Sequence, residues 1–551
     1  MLRRQFLKSG LAASATALLG RGQTLAGTVD SHIEVMVDEP LGTILPTVYG
    51  HFTEHLGGVI YDGIWVGEGS KTPNTEGIRT ALVEALRRIH APVIRWPGGC
   101  FADSYDWKDG VGPPGQRPRR TNFWVDDPDA KRLQGGVQLY EDNSFGTNEF
   151  ARFCRLSGAA PYLAANLRSL SPLDFDHWVE YCNSPAGSTT LADLRGKGGA
   201  LEPFNVRYWG VGNESWGCGG NFLPQEYAAE FRRFTTWVPS YGVDLAFVAS
   251  GPNVDDWDWS SRFFEEMLGH RRYFPRNWWG WSVHHYAENL SRGRTDDWIA
   301  RKGDALQFES VDYYELLREA DRMEGIILGH WNAMGQFDRE HRVKLVVDEY
   351  GPWYRQGTQV DTTHILGQQV TMRDAVATAL TLDTFNRHPE KVGMAACAQL
   401  VNCLNALFLA HEDRFIVTPN FYVFELYGEH QGAQAVRAEF AAPDVTYDRD
   451  GRPAHFWGLK GSASLKGRDL ALTVVNPHLT QGRAAEIAVH GANIGASAAV
   501  VLAESDIHSH NTFEQPDTVR PRKVPLPAAQ GELVRFTFPP ASVTRLTLVL
   551  A

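Results

Sequence analysis

Two stretches decide how this chain reads: Val206-Arg-Tyr-Trp-Gly-Val-Gly-Asn-Glu214 and Val343-Lys-Leu-Val-Val-Asp-Glu349. Each is an apolar run of the kind that forms a strand buried on both faces, and each ends in a glutamate. A buried strand does not end on an ionisable side chain without cause. In parallel α/β folds the C-terminal ends of the strands are where functional groups are mounted.

Working outward, apolar β-branched runs recur between helical patterns. Eight strand candidates follow in order: Thr47–Phe52, Val93–Trp96, Tyr162–Asn166, Val206–Val211, Leu245–Ser250, Trp281–His285, Leu345–Val347 and Met394–Leu400. Eight strands close a (β/α)8 barrel. Helical periodicity marks Gly77–Ile89, Asn148–Leu156 and Met372–Phe385 among the segments between them. Near Gln431 the composition changes. Only Trp457 of the seventeen tryptophans lies beyond it, and short alternating strands punctuated by glycine and proline take over: Leu459–Leu465, Leu470–Val475, Glu486–His490, Ala498–Ala503, Leu533–Phe538 and Val543–Leu550. That pattern predicts a β-sandwich. His32–Val37 alternates in the same way and is expected to join it. The fold class is therefore α/β, a (β/α)8 TIM barrel with a C-terminal antiparallel β-sandwich completed by an N-terminal strand. The expected divisions are 1–26 (a signal peptide), 27–43 (the added strand), 44–430 (the barrel) and 431–551 (the sandwich).

The chain has 551 residues and a formal net charge of −12, which argues against nucleic acid or an anionic membrane as a partner. Its start, with Arg3-Arg4 before a short apolar run, Leu11 to Leu19, resembles a twin-arginine export signal. The expectation is export by that route to the periplasm or the medium, with no membrane contact after the signal is removed. The six cysteines fit no zinc spacing. They could pair or serve as small buried hydrophobes. Cys100 and Cys218 follow the second and fourth strands on one face, where a bridge or a close thiol contact is within reach. Without a GxGxxG after a strand, a Walker loop or an HExxH, nucleotide and zinc chemistry have no support, and no cofactor is expected.

Glu214 and Glu349, fourth and seventh of eight strands, supply what glycoside hydrolysis requires: one group to protonate the leaving oxygen and one to attack the sugar. Asn213 beside Glu214 could hold a substrate hydroxyl, although the pair could also cap the following helix. Trp107 and Trp353, just beyond strand ends, could floor a sugar subsite, where aromatic faces meet the apolar faces of sugars.

Seven ordered motifs carry a resemblance: Gly50-His-Phe-Thr-Glu54-His-Leu-Gly57, Arg95-Trp-Pro-Gly-Gly-Cys-Phe-Ala-Asp103, Asp106-Trp-Lys-Asp-Gly-Val-Gly112, Trp209-Gly-Val-Gly-Asn-Glu214, Ser282-Val-His284-His-Tyr286, Val347-Asp-Glu-Tyr-Gly351 and Ala398-Gln399-Leu-Val-Asn402. From about His32 to the C-terminus the chain resembles an α-L-arabinofuranosidase of glycoside hydrolase family 51. The resemblance implies double displacement, with Glu214 as acid/base and Glu349 as nucleophile. It implies that Glu54 and Asn213 bind furanose hydroxyls, that Tyr286 steadies the nucleophile and that Gln399 sits at the pocket rim. His284 is similar to a family histidine near the nucleophile, a satisfied core histidine being the alternative. Cys100 stands where many members carry an asparagine that hydrogen-bonds the sugar, and a thiol does this weakly.

The expected partner is an arabinose-containing polysaccharide or oligosaccharide, cut from its non-reducing ends. The resemblance also implies a homo-oligomer, often a hexamer. Alternatives are the same mechanism on another sugar (endo-glucanase, β-xylosidase or galactofuranosidase) or a non-catalytic carbohydrate-binding protein. The natural linkage is not legible in the sequence.

Overall fold

The structure is a computed structural model that describes residues 29–126, 140–269 and 274–551. The expected signal segment, 1–26, lies outside the described residues.

Eight parallel strands form a closed barrel: Gly50–Phe52, Val93–Trp96, Ala160–Ala165, Tyr208–Val211, Ala246–Ala249, Trp278–Ala287, Lys344–Pro352 and Val392–Cys397. Each pairs in parallel with the next, and the eighth closes on the first through Ala396 opposite Gly50. The first strand is shorter than its apolar run suggests. Pro46, which lacks a backbone N–H, opens a 3-10 turn over Pro46–Tyr49, and pairing begins only at Gly50. Conversely, the sixth and seventh strands run several residues past their apolar cores, because their polar ends find partners inside the barrel mouth. Val93, Tyr162, Val248, Val346 and Met394 pack into one buried cluster contributed by five of the strands.

Helices on the outer surface include Thr80–Arg88, Thr147–Ser157 and Met372–Arg387 at the expected places. Met372–Arg387 is buried along nearly its whole length, because the second sheet covers the side that faces away from the barrel. At that junction Asp383 accepts hydrogen bonds from Ser462 Oγ and Thr473 Oγ1, both at 2.6 Å, and from Tyr427 Oη at 2.8 Å. A buried carboxyl with three donors is satisfied rather than strained.

The second sheet has nine strands. Ser31–Thr43 joins it as expected, antiparallel to Gln434–Ala441 and parallel to Arg483–His490. Gln434–Ala441 itself escapes the sequence reading, since its charged outer positions (Arg437 and Glu439) dilute the alternation. Ile33, Val35, Leu472, Ile487 and Leu548 belong to a hydrophobic core of the sheet's own. No helix among the described residues is long and apolar enough to cross a membrane.

Candidate active site

The site is built at the C-terminal mouth of the barrel. Arg95, on the fully buried second strand, reaches across the barrel floor. Its Nη1 donates to Glu349 Oε1 at 2.9 Å, its Nη2 donates to Asn213 Oδ1 at 2.6 Å, and its Nε lies 3.5 Å from Asp348 Oδ2. A single planar fork thus ties the ends of the fourth and seventh strands together. Burial works against its charge, but Asp348 and Glu349 outweigh that and hold the guanidinium charged.

Glu349 receives a second hydrogen bond, from Tyr286 Oη to Oε2 at 2.8 Å. Burial pushes this carboxyl up, and Glu214 adds to the effect; His284, Arg95 and the Tyr286 hydroxyl act in the opposite direction. Its neighbour Asp348 is held by Tyr162 Oη at 2.8 Å and Ser282 Oγ at 2.5 Å. Burial alone would raise Asp348 too, yet Arg95 and His284 hold it well below the usual carboxylate range.

His284 stands between the two glutamates. Its Nδ1 lies 3.0 Å from Glu214 Oε1 and 3.5 Å from Glu349 Oε2, while Nε2 lies 3.2 Å from Asp348 Oδ1. Burial opposes charge on this ring. The three surrounding carboxylates outweigh burial and push its pKa up to about 10, so the group is an imidazolium at neutral pH rather than a passive core residue. Facing oxygens of Glu214 and Glu349 come within 4.8 Å of each other across it.

Glu214 sits on the loop after the fourth strand with φ of +40°, a backbone conformation that side chains other than glycine adopt at a cost. The loop that holds it there is anchored from below. Asp103 accepts the N–H groups of Asn213 at 2.9 Å and Leu167 at 2.7 Å, and burial pushes its carboxyl up to about 7. From above, Cys100 and Cys218 form a disulfide whose sulfurs lie 3.8 and 3.5 Å from Glu214 Oε2. Of the two readings left open by the cysteines, the bridge is the one the structure contains.

Glu54, two residues past the end of the first strand, accepts the N–H groups of Gly99 and Phe101, each at 3.0 Å, and an N–H of Gln399 Nε2 at 3.0 Å. Burial and the Glu349 charge push it up to about 8. Pro-Gly-Gly explains itself here. A Cβ at Gly98 would stand 2.4 Å from Glu54 Cγ, and one at Gly99 would stand 2.7 Å from Glu349 Oε1. Only glycine lets the loop close over both carboxylates. Gln399 keeps a buried Oε1 with no partner among the described residues, an acceptor left for something outside the chain.

The expected residues Glu54, Asn213, Glu214, His284, Tyr286, Glu349 and Gln399 therefore converge. Trp353 lies beside them, edge-on to Tyr286 at 5.0 Å. Trp107 does not converge. It is 2% exposed, stacks parallel to Trp178 in the core and donates its indole N–H to the Asp174 carbonyl at 3.0 Å. The sequence reading missed Arg95, Asp348 and Asp103. A signal was present for Arg95, an arginine in the middle of a strand otherwise made of Val, Ile and Trp.

Residues 85–292 match the α-L-arabinofuranosidase 1 domain, and residues 348–542 match the α-L-arabinofuranosidase C-terminal domain. An intracellular exo-α-L-arabinofuranosidase of Bacteroides ovatus is 33% identical over 97% of this chain and 98% of its own length. The crystal structure of the GH51 arabinofuranosidase from Xanthomonas axonopodis pv. citri superposes with a TM-score of 0.86 at 34% identity, over 94% of this chain and all of that one. The chain belongs to glycoside hydrolase family 51. It is an exo-acting α-L-arabinofuranosidase, and its substrates are arabinose-containing glycans.

Among the more distant family members, an intracellular exo-α-(1→5)-L-arabinofuranosidase of Acetivibrio thermocellus is 28% identical over 67% of this chain and 69% of its own length. Both curated relatives named here are intracellular enzymes. This overturns the expectation of twin-arginine export to the periplasm or medium. Two arginines before a short apolar run, even with a small-residue stretch such as Thr24-Leu25-Ala26 after it, also arise in chains that are not exported.

Proposed function

We propose that this arabinofuranosidase works by double displacement with retention, and that it releases terminal α-L-arabinofuranosyl units from short oligosaccharides of arabinan or arabinoxylan. The observation that carries the mechanism is the spacing of Glu214 and Glu349. Facing oxygens within 4.8 Å leave no room for the water that an inverting enzyme places between its carboxylates, about 6.5–9.5 Å apart.

In the first step Glu349 Oε attacks the anomeric carbon while the bond to the leaving oxygen breaks, and Glu214 gives that oxygen its proton. In the second, Glu214 takes a proton from water, whose oxygen displaces Glu349 and frees arabinose. Tyr286 and Arg95 hold the attacking carboxylate in place. The imidazolium of His284 keeps the two acidic groups compatible at this distance. Glu54 and Asn213 are the groups we assign to the furanose hydroxyls, with Gln399 Oε1 as a further acceptor. Trp353 beside Tyr286 and the Cys100–Cys218 bridge beside Glu214 are the groups we assign to the pocket walls.

The preference for oligosaccharides rests on the intracellular relatives, one of them named for α-(1→5) linkages. Product analysis on α-(1→5)-arabino-oligosaccharides beside arabinoxylan oligosaccharides and the intact polymers tests it. Faster release of arabinose from either oligosaccharide set supports the reading; faster release from the polymers overturns it.

A further inference from the structure

On the same face of the barrel, away from the carboxylates of the reaction, three loops bring one carboxylate and two imidazoles together. Asp62 follows the first strand, His364 follows the seventh, and His411 ends the hairpin strand Phe408–His411 after the eighth. Asp62 Oδ2 lies 2.9 Å from His411 Nδ1 and 3.4 Å from His364 Nε2, and all three atoms lie within 4.8 Å of one another. Ligands of a tetrahedral ion held at about 2.0–2.1 Å stand roughly 3.4 Å apart. The cluster is already close to that size.

The surroundings aim these atoms at a common point. Asp62 Oδ1 is turned outward, where it accepts the Glu412 N–H at 2.7 Å and faces the buried Arg79 guanidinium at 3.6 Å. Only Oδ2 is left for the imidazoles. The second nitrogen of His411, Nε2, faces Asp361 Oδ2 at 3.8 Å, and Asp361 Oδ1 is pinned by the Thr363 N–H at 2.8 Å and Thr363 Oγ1 at 2.6 Å. A carboxylate behind a histidine is the usual outer support of a metal ligand. The His364 ring is held against Gly58, where a Cβ would stand 2.3 Å from Nε2. Its Nδ1 has no partner among the described residues, so Nε2 is the ring's one engaged nitrogen. Asp62 and Asp361, with Asp413 also acting on Arg79, leave the surroundings net negative for a cation. Asp62 and His411 are 28% and 23% exposed, which gives an ion a route in.

We infer that Asp62, His364 and His411 bind one divalent first-row transition ion, with Zn2+ the best fit. Two imidazoles with a single carboxylate suit such an ion, whereas Mg2+ and Ca2+ take oxygen-rich sets. The three loops it joins follow the first, seventh and eighth strands, which carry or lead directly to Glu54, Glu349 and Gln399. Its role is to fix the walls of the sugar pocket, with no part in bond breaking. The inference is independent of the catalytic roles assigned above.

The test uses the full chain without reductant, so that Cys100 and Cys218 offer no thiolate. Protein stripped with EDTA is equilibrated with Zn2+ alone, desalted and analysed for metal content, alongside a melting curve. The expected result is one Zn2+ per chain and a melting temperature several degrees higher with the ion, as for any ligand that binds only the folded state. His411→Ala and Asp62→Asn should each lose the ion. Glu349→Gln, which alters the other constellation of possible ligands, should keep it. A wild-type protein that retains no Zn2+ would reduce the cluster to hydrogen-bonded side chains and overturn the inference. So would a full equivalent retained by both His411→Ala and Asp62→Asn, since the ion would then sit elsewhere.

Discussion

Arg95 Nη1 meets Glu349 Oε1 at 2.9 Å, and the remainder of the same guanidinium is committed to Asn213 and Asp348. The orientation of Glu349 and the seating of the loop that carries Glu214 are thus coupled through one buried cation.

Arg95→Lys keeps the charge but loses the fork, since an ammonium cannot hold Glu349 and Asn213 in one plane. Loss of one preorganised donor costs about 10²–10³-fold in turnover. A comparable loss in kcat is expected here on an aryl arabinofuranoside. A variant within a few-fold of wild type would mean that Arg95 serves stability alone.

Glu214→Ala should hurt poor leaving groups most. An activated aryl glycoside needs little proton donation, so its first step should survive better than that of an arabino-oligosaccharide. Steady-state kinetics on both substrates decide the matter, and equal losses would remove the acid/base role.

Glu54 gives a pH-dependent signature in stability. Its carboxyl is raised to about 8 in the fold, against an ordinary value of about 4.3 in an unfolded chain. The folded state therefore holds a proton that the unfolded state releases. This contribution is fully present below pH ~4 and is lost as pH rises through about 8. Wild type should lose ground to Glu54→Gln over that range in melting temperature. A difference that does not change with pH would show that Glu54 is ionised throughout.

The Cys100–Cys218 bridge leaves four buried free thiols, Cys154, Cys182, Cys397 and Cys403. Protein unfolded without reductant should titrate four thiols. Compartments that keep thiols reduced disfavour such bridges, which makes the count informative: six would mean that Cys100 and Cys218 are not joined.

Much of this was readable from the chain. Strand ends at Glu214 and Glu349 were visible because an ionisable residue closing an apolar run is costly unless it has work to do. His284 was ambiguous, because a histidine's charge depends on the three carboxylates that folding places around it, and all three lie far from it in sequence. Trp107 misled for the opposite reason. Its place beyond a strand end fits a subsite wall, yet the loop turns inward and packs the ring on Trp178. Arg95 shows what local reading leaves out: its three partners lie on residues more than a hundred positions away.

As the proposed nucleophile of a retaining reaction, Glu349 is the residue on which the mechanism depends. Glu349→Ala, assayed on an aryl α-L-arabinofuranoside, should lose on the order of 10⁴-fold or more in turnover, since neither the covalent intermediate nor its charge can form. With azide added, small enough to enter the vacated space, the variant should yield the arabinofuranosyl azide of inverted, β configuration. Near wild-type hydrolysis by this variant in the absence of azide would contradict the account.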